Sequence, residues 1–365
     1  MASRAEVEVG VARRGWSICA VMVSLLLGVY AAAGAQTEYT GDRGTLADDE
    51  QTVFEIDSDA ITESSSLVVS TTHAGLVYTT NDSGDSATVY VLEDGDGRLV
   101  GRTSLTGVEA VDIEALAGGT DGSLVIGDIG DNEAGRSSVL VYRIDQPGRG
   151  RDETSADRVE LRFASGPGDA EGLLYDAREG RVLVISKEFG GSVYQTTRDV
   201  FDQERATLRR VADAPGLATD ATFLPGGDLV VVRTYIDAWI YRYPSWELVD
   251  AIGLPSQEQG ESVAAPPGGR SIWVGSEGEG SEVLAVRLPM IPPAEGEPGQ
   301  GTTAPTTPGP KTTQLPPTTG GPRSEPARGD DFRDVAEIAL VGAGTALAVV
   351  VLVGIWRFRR HRASE

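Results

Sequence analysis

Cysteine is nearly absent from this sequence: its single cysteine, Cys19, falls inside an N-terminal apolar stretch. The rest of the chain therefore cannot use disulfides or thiolate metal sites, and its core must be large enough to hold the fold together. Histidine is equally scarce, with only His73 and His361. This argues against a His-rich zinc centre and a Ser-His-Asp hydrolase. A GxSxG elbow, a Walker loop and a Rossmann fingerprint are also lacking.

Basic residues are also far fewer than acidic ones. The chain has 31 Lys and Arg against 55 Asp and Glu, a formal net charge of −24, and only Lys187 and Lys311 are lysines. Such a protein repels nucleic acid and favours cations or basic partners, so we expect no nucleic-acid partner. The alternative is that the acidity only maintains solubility.

The two ends of the chain carry targeting signals. Three arginines precede an apolar stretch from Trp16 to Ala33 and a small-residue cleavage site, which predicts a signal peptide over residues 1–35. From Ile338 to Trp356 the chain runs for 19 residues without a charge, and four arginines follow within 357–362. This predicts a single transmembrane helix over 336–356, a basic cytoplasmic tail over 357–365 and an extracellular ectodomain at the cell membrane.

A Pro/Thr-rich segment, 291–331, precedes that helix and has almost no large apolar residue. It cannot bury enough surface to offset its ordering entropy, so we expect a disordered stalk. Within it, the LPPTTG sequence at 315–320 resembles a sortase sorting signal interrupted by an extra threonine. Retention in the membrane is the favoured interpretation.

Residues 36–290 contain short β-branched runs and a repeated hairpin pattern. The turn glycines of five such hairpins, at positions 75, 122, 180, 227 and 269, are 47, 58, 47 and 42 residues apart. This is the period of a propeller blade. The predicted fold is all-β: a β-propeller with five visible repeats, hence five or six blades, plus the C-terminal helix. A strand near Thr52 is expected to complete the last repeat and close the ring, and a β-sandwich is the competing fold.

Carboxylates stand at the start of four repeats, where the first strand of a blade lines the central channel. They should converge on one axial site, where a hard cation, Ca²⁺ or Mg²⁺, would offset their repulsion. The alternative is that each acid caps its own turn. These candidate ligands are Asp112, Glu114, Asp169, Glu171, Asp220 and Glu261.

Further candidates follow the second strand of the repeats. The string GDIGDN offers Asp128, Asp131 and Asn132 as metal ligands, and Asn81 and Asp82 occupy the equivalent place in the first repeat as ligand-binding candidates. A plain Asp/Gly turn explains either loop equally well.

Basic residues occupy the same strand end in later repeats. Lys187 with Glu188, and Arg233, are candidates for holding a small anionic ligand. Surface snorkelling of the lysine is the alternative.

The combination of DIEALA, GDIGDN, DAEGL and SKE, over roughly residues 60–290, resembles secreted or membrane-anchored actinobacterial β-propeller-like proteins of unassigned function. More distantly, it is similar to phytase-like and esterase-like propellers. That resemblance implies that acidic channel residues bind calcium and that basic residues hold phosphate.

Together these patterns predict a surface-anchored propeller that binds an extracellular protein or small ligand, with an acidic axial cation site. The alternative is a calcium-dependent phosphoesterase or esterase-like hydrolase.

Overall fold

The computed structural model describes residues 51–82 and 86–291, which belong to one compact unit, Asp42–Gly299. The predicted signal peptide, transmembrane helix, basic tail and all of the stalk beyond Ile291 lie outside the described residues. Within the described ranges, no helix has the length and apolar character needed to span a membrane.

The described chain is all-β, as predicted, with 21 strands and a single-turn 3-10 helix at Val200–Asp202. Twenty of the strands form five four-stranded antiparallel sheets, called units 1 to 5. In each unit the sheet extends outward from an inner strand. The inner strands are β2 (Ser64–Val69), β6 (Ile113–Gly118), β11 (Ala170–Asp176), β15 (Ala218–Phe223) and β19 (Gly260–Ala264). The second strands are β3 (Leu76–Asn81), β7 (Ser123–Asp128), β12 (Arg181–Ser186), β16 (Leu229–Thr234) and β20 (Ser271–Ser276).

The outer strands complete each unit. The third strands are β4 (Thr88–Glu93), β8 (Val139–Asp145), β13 (Ser192–Gln195), β17 (Asp237–Arg242) and β21 (Glu282–Arg287). The fourth strands are β5 (Leu99–Leu105), β10 (Asp157–Phe163), β14 (Arg205–Asp213), β18 (Glu247–Gly253) and β1 (Gln51–Glu55). The remaining strand, β9 (Gly150–Thr154), adds to β5 in parallel, and a parallel β10–β14 pairing joins units 2 and 3 into one eight-stranded sheet.

The units are arranged in a ring. Each inner strand contacts the inner strands of the preceding and following units, and β19 of unit 5 contacts β2 of unit 1. Five apolar clusters fill the spaces between neighbouring units, one for each pair. The second strands are continuous apolar runs because both of their faces are buried, whereas the outer strand β14 is mostly exposed. Each fully buried Val, Leu or Ile contributes about 1.5–3 kcal/mol to this packing.

Ring closure by the N-terminal strand is confirmed. β1 pairs antiparallel with β21, with Gln51 opposite Ala285 and Glu55 opposite Glu282. Phe54 is buried on this strand and packs edge-to-face on Trp273, with ring centroids 6.1 Å apart. The last unit therefore takes its fourth strand from the start of the described chain, which leaves β21 no open edge.

Candidate functional site: an acidic centre on the ring axis

Each inner strand carries a β-bulge at the same place in its register. In β6, Ile113 pairs with Asp128 and Ala115 with Gly127, so Glu114 is the extra residue. The equivalent residues are Ser65 in β2, Glu171 in β11, Thr219 in β15 and Glu261 in β19, and all five are buried. A bulge re-aims the side chain of its extra residue. Three glutamates from different units are thereby brought into mutual electrostatic contact.

A second layer of side chains comes from the residue that follows each second strand. Because the strands are antiparallel, these residues lie at the same end of the ring as the bulges. They are Asp82, Ile129, Lys187, Tyr235 and Glu277. Ile129 is packed in the core between units 2 and 3. We use the term axial centre for Asp82, Asp112, Glu114, Glu171, Lys187, Tyr235, Glu261 and Glu277.

One side of the axial centre is a group of three carboxylates, Asp82, Asp112 and Glu114, whose ligand oxygens all lie within 4.8 Å of one another. Burial, and then the charge of Asp82, raises the pKa of Asp112 to about 6, against the opposing effect of Arg136. Burial also raises the pKa of Glu114 well above its usual range, with Asp82 and Asp112 adding to the effect. Three crowded hard-oxygen donors of this kind suit Ca²⁺ or Mg²⁺.

Gly130 makes the close approach of these carboxylates possible. A Cβ at this position would lie 2.4 Å from Asp112 Oδ2 and 2.6 Å from Glu114 Oε1. A side chain at this second glycine of the GDIGDN string would therefore displace two members of the group.

The other side of the axial centre is built around Lys187. Its ammonium forms an ion pair with Glu171 and lies 5.4 Å from the centroid of the Tyr235 ring. Burial alone would lower the pKa of Lys187, but Glu171 and Glu261 together raise it well above its ordinary value. Lys187 therefore stays charged and acts as a counter-ion inside the acidic centre.

Glu261 lies beside this pair. It is 4% exposed. Its carboxylate raises the pKa values of Glu171, Glu277 and Tyr235, which places it among them. Within residues 51–82 and 86–291, no group donates a hydrogen bond to it.

Glu277 is the sixth carboxyl group of the axial centre. Burial, followed by the charges of Glu261 and Asp82, raises its pKa to about 8 despite the opposing effect of Lys187. Its carboxylate accepts a hydrogen bond from the Gln259 amide. Six carboxyl groups thus meet one ammonium in the axial centre, an arrangement that attracts cations and repels anions.

Asp220 lies apart from the bulge layer because it is one residue further along β15, where Thr219 holds the bulge position. Its two carboxylate oxygens accept hydrogen bonds from the backbone N–H groups of Ala221 and Val263, both at 2.8 Å, and from Ser66 Oγ at 3.2 Å. It therefore ties unit 4 to units 1 and 5.

The GDIGDN loop uses its other acids for its own structure. Asp128 forms an ion pair with Arg136 at 2.8 Å, and Asp131 accepts hydrogen bonds from the backbone N–H groups of Gly135 and Arg136. Asn132 is exposed. The local-turn interpretation, left open by the sequence, describes this loop better than a ligand site.

Asp169 and Asn81 also make structural bonds. Asp169 Oδ1 accepts the backbone N–H of Asp131 at 2.9 Å, which joins units 2 and 3. Asn81 accepts from the backbone N–H of Thr62 and donates to the carbonyl of Ala60. Glu188 is exposed beside the axial centre.

Arg233 is fully buried, and the carboxyl groups of Glu261 and Asp220 lie within electrostatic range of its guanidinium. Its guanidinium donates to the carbonyl oxygens of Ser262 and Gly275 and to Gln257 Oε1, the last two at 2.7 Å. Burial lowers its pKa to about 10, so it remains charged at neutral pH. It holds unit 4 against unit 5, and its donors are directed at protein acceptors rather than at a ligand.

Sequence reasoning missed Glu277 and did not give Tyr235 a site role. Both follow the apolar second strand of their repeat at the position that Asp82 and Lys187 occupy in theirs. Residue-by-residue alignment of the five repeats at that strand end would have found them.

A cavity of about 600 Å³ lies at the opposite end of the inner strands. Its lining comes from the C-terminal halves of four of these strands and the turns that follow, including Ser70, Tyr175 and Phe223. None of the residues of the axial centre lines it, so this cavity and the acidic cluster are separate features.

Comparison with known proteins adds little. No family model matches the chain, and no curated protein matches it. Among solved structures, the chain is similar to Kuenenia stuttgartiensis hydrazine synthase, with 14% identity and a TM-score of 0.36. The match covers 60% of this chain and 56% of that one, so this chain spans little more than half of that protein's length. At that level the likeness transfers neither fold nor activity.

Proposed function

We propose that residues 51–291 form a five-bladed β-propeller, each four-stranded unit being one blade. The support is the closed ring of five inner strands, the five interunit cores and the closing pair β1–β21. A β-sandwich would bury one core between two sheets rather than five cores between neighbours.

We propose further that this propeller is a binding module with a divalent cation in its axial centre. One observation carries the proposal: a bulge repeated in all five inner strands gathers buried carboxylates around a single lysine. Asp82, Asp112 and Glu114 would hold the ion, and Glu261 adds a further buried carboxyl group near them.

Ca²⁺ is the ion that this site favours. Ca²⁺ accepts six to eight oxygen ligands in flexible geometry, whereas Mg²⁺ demands a near-ideal octahedron. Asp82 follows the second strand of unit 1, whereas Asp112 and Glu114 stand at the start of the inner strand of unit 2. These carboxylates form an irregular set of ligands, which fits the more tolerant ion.

Hydrolysis receives less support than binding. The hydrolase alternative needs Lys187 and Arg233 to hold an anionic substrate. Lys187 is paired with Glu171, and Arg233 donates to carbonyl groups of the next unit. The geometry therefore favours a cation-dependent binding surface.

The proposal places the module outside the cell, held at the membrane by the predicted helix at 336–356. This membrane placement rests on the uncharged apolar run and on the arginines that follow that run. Protease added to intact cells should remove the propeller and leave a small membrane-bound fragment. Full protection of the propeller would overturn this placement.

Thermal melting of the full-length protein tests the cation site. The protein is first freed of divalent cations with EGTA, and Ca²⁺ is then added in excess of the chelator. The free Ca²⁺ should raise the melting temperature, since a ligand at 100 times its Kd stabilises the folded state by about 2.7 kcal/mol. The Asp112→Asn/Glu114→Gln variant should lose that response. Asp152→Asn/Glu153→Gln, on the exposed strand β9, is the matched control and should keep it.

An unchanged melting temperature in Ca²⁺ would remove the cation site. Turnover of p-nitrophenyl phosphate that depends on Ca²⁺ and on Glu114 would instead favour the hydrolase.

A further inference from the structure

The end of the ring that holds the axial centre also exposes apolar side chains. Of the six large hydrophobic side chains that are exposed within the described ranges, three border this centre. Val111 precedes Asp112, Phe189 follows Lys187 by two residues, and Ile236 follows Tyr235. Phe189 is 72% exposed and Ile236 is 47% exposed. Large aromatic and aliphatic groups in such a place are typical of a binding surface.

The loops that carry Phe189 and Ile236 are held firmly by backbone contacts. Leu217 N–H donates to Glu188 O at 3.1 Å, and Leu254 N–H donates to Ile236 O at 2.8 Å. Gly216 packs so closely that a Cβ there would lie 2.2 Å from Phe189 O. The two apolar side chains therefore project into solvent from an ordered backbone.

The surroundings of these apolar groups are acidic. Glu133 and Glu188 are exposed at this end, and the carboxyl group of Glu277 lies half-buried below them. The neighbouring cations are already engaged, since Lys187 pairs with Glu171 and Arg136 pairs with Asp128. A partner must therefore bring positive charge to match this surface.

We propose that this rim, formed by Val111, Phe189, Ile236 and the acids beside them, docks a protein partner through a Lys or Arg side chain flanked by apolar side chains. The basic group would meet the acids, and the apolar groups would cover Phe189 and Ile236. A membrane surface is a poorer match because anionic headgroups are repelled by these carboxylates.

This inference shares Glu277 with the axial centre on which the proposed cation site rests, but its apolar half is independent of that site. Selection of a random dodecapeptide phage library on the full-length protein in EGTA tests it without any bound divalent cation. Enriched peptides should carry a Lys or Arg within two positions of a large apolar residue. They should bind more weakly as salt increases, because exposed charge pairs are screened.

Two double variants make the test specific. Phe189→Ser/Ile236→Ser should reduce capture of the enriched peptides at least tenfold. Val211→Ser/Leu248→Ser removes two comparably exposed apolar groups from the outer strands β14 and β18 and should leave capture unchanged. All four positions are exposed, so both variants should melt like the parent.

The melting response to Ca²⁺ should survive Phe189→Ser/Ile236→Ser, which separates this rim from the cation site. Three results would overturn the inference: no enrichment, enriched peptides without basic residues, or equal capture by both double variants. A loss of capture with the calcium response retained supports it.

Discussion

Replacing Arg233 with methionine should destabilise the protein by breaking the contact between units 4 and 5. The guanidinium donates to the carbonyls of Ser262 and Gly275 and to the side chain of Gln257. Methionine fills much of the same volume but donates nothing, so two buried carbonyl groups and the half-buried Gln257 side chain lose a donor. Each such loss costs about 1–3 kcal/mol. The buried guanidinium also carries a desolvation penalty, which disappears with the charge and offsets part of this cost. We therefore expect the free energy of unfolding to fall by about 3–5 kcal/mol.

Urea unfolding of the full-length protein, followed by tryptophan fluorescence, measures this change by linear extrapolation. Arg233→Lys should fall between parent and Arg233→Met, because one ammonium cannot reproduce the forked donor geometry. Arg178→Met is the control: that side chain is 52% exposed, and its ion pairs should contribute at most about 1 kcal/mol. A free energy of unfolding for Arg233→Met within about 0.5 kcal/mol of the parent would refute the structural assignment.

Three further predictions follow from the packing and charge of the ring. Phe54→Ala should cost about 3–5 kcal/mol in the same unfolding assay, because it empties a buried site on the closing strand, and a loss below about 1 kcal/mol would contradict ring closure. In EGTA, the melting temperature should fall as pH rises from 5 to 8.5. Burial raises the pKa of Asp112 to about 6 and that of Glu277 to about 8, so the stability they contribute is complete near pH 4 and is lost as each ionises. Glu277→Gln should flatten the decline around pH 8, and an unchanged pH profile would show that Glu277 does not titrate there. Gly130→Ala should raise the Ca²⁺ concentration needed for the melting shift at least tenfold, because its Cβ would collide with the carboxylates of Asp112 and Glu114. Gly135→Ala, whose Cβ would lie in open space, should leave that concentration unchanged.

The repeat pattern made the strand order predictable. Glycine-containing turns at similar spacing separate a short inner strand from a continuous apolar one, and each such hairpin appears in the structure, as with β11 and β12 around Gly180. The strand near Thr52 could be assigned to the last unit because that unit was one strand short. The spacing of the turn glycines was sufficient to predict the hairpins, and the number of strands in each repeat was sufficient to assign the strand near Thr52.

The site was less predictable because its register depends on bulges. A bulge shifts which residue faces the axis by one position, and no residue type marks it in the sequence. Asp220 therefore looked equivalent to Glu171, although Thr219 occupies that position. Likewise, a sequence shows that Arg233 is basic but not that carbonyls of the following unit surround it.

The central claim is that the axial carboxylates hold a divalent cation. Crystals of the full-length protein grown with Ca²⁺ and soaked in Mn²⁺ test it directly, since anomalous scattering locates the ion without reference to the protein chain. The account predicts a peak about 2.0–2.6 Å from carboxylate oxygens of Asp82, Asp112 and Glu114. Crystals that show no peak at the ring axis, or peaks only on the exposed outer strands, would contradict it.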